Sequence, residues 1–227
     1  MKRREFLSLP LAWPAAGQAP AGAGTMLWDY TMASLRSLDA RRQARFDGIR
    51  TAEQVAALRS EVRARLARMW GAFPGRTPLN PRVVATLSRQ DHAVERLVFE
   101  SRPAFYVTAN LYRPTDSSGR LPAVIFPPGH SPNGKAAASY QSFCIDLARA
   151  GFVALMWDPI GQGERLQFWD EGRKRSAFGP GTAEHFVLGP VCYLLGLNLM
   201  HYMLWDAVRA IDYLESRPDV DKDRMGV

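Results

Sequence analysis

Apolar residues follow a helical period in the first third of the chain. Between Thr51 and Met69 they recur at steps of three and four, which predicts an amphipathic helix with Thr51 as its N-cap. The apolar stripe consists of Val55, Leu58, Val62, Leu66 and Met69. We expect a helical extension over residues 24–76, with this helix packed on the surface of the domain that follows.

From residue 92 onward the pattern changes to short β-type runs. The predicted strands are residues 92–101, 105–112, 121–127 and 152–157, with a further strand beginning at 224–227. The predicted helices are residues 136–150 and 197–217. Two hairpin strands, followed by strand–helix–strand units with continuously apolar strands, predict an α/β fold with a mixed, mostly parallel sheet.

Charge is distributed unevenly along the 227 residues. Residues 1–76 contain 13 Lys and Arg against 6 Asp and Glu, whereas residues 77–227 contain 16 of each, so the first third carries the whole excess of +7. A surface that binds phosphates needs basic residues where the contact is made, and we therefore expect no nucleic-acid partner. The chain has no apolar run of 18 residues, and we expect no membrane span.

The first 23 residues have the pattern of an export signal. Lys2-Arg3-Arg4-Glu5-Phe6-Leu7 is followed by a mildly apolar stretch and by small residues around Ala21. The paired arginines resemble the twin-arginine type of signal, which predicts a periplasmic or secreted protein. A disordered basic tail is the alternative.

A glycine-rich segment directly follows the third predicted strand. Glycines at a strand-to-helix crossing let backbone N–H groups point into the crevice above the strand ends, which is how half of an oxyanion hole is commonly built. A phosphate-binding loop is disfavoured because the segment lacks the required spacing. Ser131 is excluded as a nucleophile, since Pro132 has no N–H to donate to an oxyanion.

A second glycine-containing turn follows the fourth predicted strand. Gly161 and Gly163 allow a sharp turn, and we expect a salt bridge between Glu164 and Arg165 to fix it. The residues assigned to the edge of the pocket are Asp158, Gln162, Glu164 and Arg165. A structural turn and direct contact with substrate both remain open.

The four histidines and two cysteines do not have the spacing of a metal site, and we expect neither a metal nor a cofactor. His201 lies on the apolar side of its predicted helix, which favours a role in the core. His185 lies in a glycine-rich stretch and is left unassigned.

Taken in order, these segments resemble the α/β-hydrolase superfamily, and specifically acetylxylan-esterase-like hydrolases. The matching segments are Phe73–Asn80, Val98–Ser101, Phe105–Pro114, Pro128–His130, Gly134–Lys135, Trp157–Arg165, Trp205–Leu214, Arg217–Asp221 and Arg224–Val227. The resemblance implies a serine hydrolase acting on small-molecule or polysaccharide esters, with one oxyanion N–H from the Gly129-His130 loop and no cofactor.

One part of the family pattern is missing. In such enzymes the strand that begins at Arg224 leads into a Gly-x-Ser-x-Gly turn, and the acid and histidine follow; no Gly-x-Ser-x-Gly occurs in this sequence. We therefore expect an N-terminal fragment with an incomplete hydrolase domain over residues 77–227, no catalytic residue of the triad, and no activity by itself. A serine peptidase of the same fold and a non-catalytic binding module are the alternatives.

Such a fragment has a consequence for association. The third predicted strand would present a bare apolar edge, and bare edges pair with other chains. We expect self-association through this edge.

Overall fold

The structure is a computed structural model that describes residues 23–227. The predicted export signal therefore lies outside the described residues, apart from the backbone of Ala23. The chain divides into two compact units, with the boundary between Val62 and Arg63.

The first unit contains helix α1 (Met26–Asp47) and the start of helix α2 (Ala52–Trp70). Thr51 caps α2 as predicted, because its Oγ1 accepts a hydrogen bond from Gln54 N at 3.3 Å. Gln54 Oε1 in turn accepts from the N–H of Thr51 at 3.1 Å, which completes a capping box. No residue of α2 is buried. In the apolar stripe, Val55 and Val62 are 44% and 43% exposed, whereas Leu58 and Leu66 are half-buried. Packing of this helix on the following domain stays a prediction.

The second unit is built on a six-stranded sheet in the order β1-β2-β3-β5-β4-β8. The strands are β1 Arg82–Ser88, β2 His92–Arg102, β3 Phe105–Pro114, β4 Leu121–Phe126, β5 Val153–Trp157 and β8 Val220–Gly226, with a small separate hairpin of β6 Trp169–Asp170 and β7 Arg175–Ser176. The predicted mixed α/β sheet is confirmed. Among the described residues, however, the β1-β2, β2-β3 and β3-β5 pairings are antiparallel, and only β5-β4 and β4-β8 are parallel. The sheet is therefore not mostly parallel, because the β1–β3 meander forms half of it.

Three helices accompany this sheet: α3 Ala138–Arg149, α4 Thr182–Leu194 and α5 Leu199–Ser216. Helix α5 packs on one face of the sheet, where buried apolar side chains from β2, β3, β4 and β5 meet Ala210, Tyr213 and Leu214. Helix α3 packs on the opposite face, where Cys144 and Ala148 contact Tyr112, Ala154 and Met156. We call these the α5 face and the α3 face.

The expected bare edge on β4 is wrong. β4 pairs with β5 on one side and with β8 on the other, so β8 lies at the edge of the sheet. The centre of β8 reads Asp221-Lys222-Asp223-Arg224 and is largely exposed, and charged residues on an edge strand disfavour the addition of another strand. Self-association remains a prediction, without this structural reason for it.

Within residues 23–227 no single helix has the length and apolar composition needed to cross a membrane; α4 and α5 meet that test only as a pair bent by 101°.

Candidate functional site

Two loops leave the carboxyl ends of the neighbouring strands β4 and β5, and they carry the site residues predicted from the sequence. The first loop holds Gly129 and His130, both exposed. Within the described part of the chain, the backbone N–H groups of these two residues donate to no protein acceptor. The next amide, Ser131 N, donates to Gln162 Oε1 at 2.5 Å. The loop thus presents two free donors, held in place by a bond to the second loop.

Asp158 joins the two loops. Its carboxylate is fully buried and accepts hydrogen bonds from Lys135 N at 2.8 Å, from Glu164 N at 3.2 Å and from Thr108 Oγ1 at 2.7 Å. The Lys135 ammonium contacts the carboxylates of both Asp158 and Glu164. The buried charge of Asp158 is therefore compensated by one ammonium and three hydrogen bonds, as a buried carboxylate requires.

Two glycines allow this close approach of the loops. Gly134 and Gly163 both adopt positive φ, at 51° and 55°. A Cβ atom at Gly134 would lie 2.1 Å from Asp158 Oδ1, and one at Gly163 would lie 2.2 Å from the same oxygen. No other residue fits at either position without displacing the buried carboxylate.

Glu164 and Arg165 do not pair with each other, so the predicted salt bridge between them is wrong. Glu164 turns toward Lys135, and the hydrogen bond from that ammonium lowers the pKa of its carboxyl group. Arg165 turns inward and donates to Asp206 Oδ2 on α5 at 2.8 Å, with both side chains buried. Burial raises the pKa of Asp206, although the Arg165 charge opposes this shift. Arg165 therefore anchors the second loop to α5.

His130 has a partner that the sequence analysis left unassigned. His185 Nε2 lies 2.7 Å from the carbonyl oxygen of Ile160, and because a carbonyl only accepts, this nitrogen carries a proton. In a neutral His185 the lone pair is then on Nδ1, and His130 Nε2 donates to it across 3.1 Å. The ring of His130 is thereby held against His185.

A buried carboxylate fixes the segment that carries His185. Glu184 is fully buried and accepts hydrogen bonds from Ser176 Oγ at 2.6 Å and from Gln167 N at 2.8 Å. It therefore ties the start of α4 to the segment that follows the second loop. His201 lies elsewhere, buried in α5 with its Nδ1 2.8 Å from the carbonyl oxygen of Trp70, as expected for a residue of the core.

The structure brings together all the residues assigned to the two loops, and it adds Lys135, Glu184 and His185. Glycines in the sequence indicated where the two loops lie. The residues that pair with each other across the site are 23 to 55 positions apart in the chain, and no local sequence pattern indicates such pairs. Among the described residues, no group of three or more His, Cys, Asp or Glu side chains has a geometry that could hold a metal ion.

Comparison with known proteins identifies the fold. The solved structure of a provisionally assigned acetyl xylan esterase from Bacteroides fragilis superposes with a TM-score of 0.58 at 16% sequence identity, covering 77% of this chain and 47% of that chain. The chain has an α/β-hydrolase fold. In open α/β sheets, ligands generally bind in the crevice at the carboxyl ends of the parallel strands, and both loops described above lie at that end of the sheet.

Sequence comparison agrees with the fold. The chain is 29% identical over 184 residues to the Bacillus subtilis protein YtaP, which is provisionally named a hydrolase, and the match covers 74% of this chain and 55% of YtaP. The chain thus spans about half the length of the relatives it matches. No protein-family model matches it.

Proposed function

We propose that this chain belongs to a carboxylic-ester hydrolase in which the Gly129-His130 segment supplies an oxyanion-hole donor. The observation that carries the proposal is the pair of N–H groups, on the exposed residues Gly129 and His130 after β4, that donate to no described protein acceptor. A tetrahedral intermediate of acyl transfer develops negative charge on oxygen, and preorganised backbone N–H groups stabilise that charge.

The architecture behind this segment supports preorganisation. Asp158 and Lys135 hold the two loops together, and Gln162 accepts from the amide next to the two free ones. A donor that is already fixed costs little reorganisation when the charge develops. We propose acetyl or related esters on polysaccharide as substrates, in keeping with the acetyl xylan esterase named among the structural neighbours.

We further propose that these 227 residues do not hydrolyse esters by themselves. The sequence contains no Gly-x-Ser-x-Gly turn, and without an activated nucleophile no acyl-enzyme forms. The 227-residue chain should therefore show no burst with an activated acetyl ester. We also propose export, on the basis of the twin-arginine pattern at Arg3-Arg4.

A pair of variants at one position tests the oxyanion role in the natural protein that contains these residues, assayed on an acetyl ester. His130→Pro removes the backbone N–H, whereas His130→Ala removes only the side chain and keeps that N–H. Loss of an oxyanion donor lowers kcat by about 10² to 10³. We expect this loss in His130→Pro and a much smaller one in His130→Ala, with unchanged circular dichroism in both. Equal kcat values for the two variants would refute the assignment.

A further inference from the structure

The two residues that carry the proposed oxyanion donors have few anchors of their own. Within the described chain, the main-chain N–H and C=O groups of Gly129 and His130 form no hydrogen bond with protein atoms, and both residues are exposed. On their C-terminal side the main chain is held by the bond from Ser131 N to Gln162 Oε1 at 2.5 Å. A segment with so few contacts opens easily, so a side-chain contact is needed to fix the direction of its two N–H groups.

The ring of His130 provides that contact. Its Nε2 lies 3.1 Å from His185 Nδ1, and the two rings meet edge to face with their centroids 5.1 Å apart. A Cβ atom at Gly181 would lie 3.9 Å from His130 Cδ2, so the main chain of Gly181 passes beside the same ring. Within the part of the chain that the structure describes, His185 is the hydrogen-bond partner of the His130 side chain, and no second partner is present.

His185 is anchored on several sides. Its Nε2 lies 2.7 Å from the carbonyl oxygen of Ile160, which is buried. Its backbone N–H donates to the carbonyl oxygen of Gly181 at 3.1 Å, and the Gly181 N–H donates to the carbonyl oxygen of Gly161 at 2.6 Å. The preceding residue is the fully buried Glu184. His185 therefore belongs to a framework that joins the second loop to the start of α4, and its Nδ1 attaches the first loop to that framework.

The hydrogen bond between the two rings has a fixed direction. The carbonyl oxygen of Ile160 only accepts, so His185 Nε2 carries the proton and Nδ1 of the neutral ring accepts from His130. A residue that replaces His185 can keep this bond only by placing an acceptor near Nδ1. Asparagine carries an oxygen on Cγ, as histidine carries Nδ1, whereas leucine has the shape of asparagine and no acceptor.

We propose that His185 is a positioning residue of the oxyanion hole. Through the ring of His130, it holds the N–H groups of Gly129 and His130 in the direction in which they stabilise negative charge. This inference rests on the ester-hydrolase function proposed above. His185 acts through His130 and not on the reacting atoms. A preorganised donor stabilises the charge of the transition state and not the bound ester, so loss of the positioning lowers kcat and leaves KM unchanged.

Backbone ¹⁵N relaxation of the 227-residue chain tests the positioning without any hydrolysis. We expect order parameters of about 0.85 for the Gly129 and His130 amides in the unmodified chain and in His185→Asn, and below about 0.6 in His185→Leu. Phe186→Ala, at the next residue of α4, is the matched control and should leave both amides rigid, because the Phe186 side chain is 81% exposed. Circular dichroism shows that each variant is folded.

Three results of this measurement would overturn the proposal. They are low order parameters in the unmodified chain, rigid amides in folded His185→Leu, and equal loss of order in His185→Leu and His185→Asn. The last result would show that the shape of the side chain matters and the hydrogen bond does not.

Kinetics of the natural protein that contains these residues connect the positioning to hydrolysis. On an acetyl ester, His185→Leu should lower kcat about tenfold with KM unchanged, and kcat of His185→Asn should lie close to that of the unmodified protein. His130→Ala removes the same hydrogen bond from the other side, so adding His185→Leu to it should lower kcat no further. Unchanged kcat in His185→Leu, beside a slow His130→Pro, would overturn the role of His185 alone. Equal kcat values in His130→Pro and His130→Ala would instead refute the proposed function, and the role of His185 with it.

Discussion

The two faces of the six-stranded sheet are built from different chemistry. On the α5 face, Phe99, Leu111 and Leu155 are fully buried and pack against Tyr213 and Leu214. On the α3 face, the side chains nearest α3 are also apolar, but toward β2 and β3 the surface becomes polar. The polar residues there are Arg96, Thr108 and Asn110, and they lead to the buried carboxylate of Asp158.

The two faces therefore have different roles: one stabilises the fold, and the other positions the loops of the candidate site. Burial of apolar area on the α5 face supplies the main driving force for folding. The α3 face buries less apolar area, because part of it consists of charged and hydrogen-bonding groups. These groups hold the two loops in one arrangement. Stability and site geometry should therefore respond to different substitutions.

The largest effect is expected on the α5 face. Phe99 is fully buried and stacks on Tyr213 with ring centroids 6.0 Å apart. Phe99→Ala should lower the free energy of unfolding by about 4 kcal/mol, because it removes a large apolar side chain and leaves a cavity. Leu87→Ala, at a position 44% exposed on the other face, is the control and should cost under about 1 kcal/mol. Urea denaturation measures both, and similar losses would contradict the division between the faces.

A smaller but more local effect is expected at the loops. Gly163→Ala places a Cβ against the buried Asp158 carboxylate in addition to straining a positive φ, and it should cost about 3 kcal/mol. Gly119→Ala shares the positive φ, at 80°, but has open space around it, so only the backbone strain of about 1 kcal/mol remains. Thermal unfolding of the two variants measures both losses of stability, and their difference is the cost of placing a Cβ against Asp158. Equal losses of stability would show that this contact is unimportant.

The smallest effect is electrostatic and depends on pH. Hydrogen bonding from Lys135 lowers the pKa of Glu164 below its ordinary value of 4.5. The folded chain therefore binds this proton less tightly than the unfolded chain, so the stabilisation is present above pH 4.5 and is lost as pH falls through the lowered value. Because the Glu164 side chain is half-exposed, Glu164→Gln should cost below about 1 kcal/mol at neutral pH.

Denaturation of Glu164→Gln and of the unmodified chain across this pH range should give curves that converge on acidification. The difference at neutral pH should also shrink in about 1 M salt, where the Debye length is about 3 Å. Curves that stay parallel at all pH values would contradict the electrostatic role of Glu164.

Sequence patterns predicted the elements whose signals are local. The runs at residues 92–101 and 152–157 form β2 and β5, with ends shifted by one residue, because a continuous β-type pattern needs no distant information. Helix α4 was missed, since Gly189 and Pro190 interrupt a segment that is apolar on most sides. Strand β1 was missed as well, because it is mostly exposed and shows no alternation of burial.

In the candidate site, too, features with local sequence signals could be predicted and contacts between distant residues could not. The glycines of both loops are visible in the sequence, since their backbone requirement is local. The pairing of Arg165 with Asp206 was not predicted, because the two residues are 41 positions apart and meet only when α5 packs on the sheet. The sequence analysis instead paired Arg165 with Glu164, its neighbour in the chain, and this pairing is wrong.

The position of β4 between β5 and β8 has a consequence for synthesis of the chain. Leu121 in β4 pairs with Val220 in β8, and these residues lie roughly 100 positions apart. At translation rates of about 5–20 residues per second, β4 emerges roughly 5–20 s before the strand that covers its outer edge. The β1–β3 meander, whose pairings are all between neighbours in sequence, is complete long before that. For those seconds the nascent chain carries an apolar strand whose outer edge is unpaired, and chaperone engagement has a defined window in which to act.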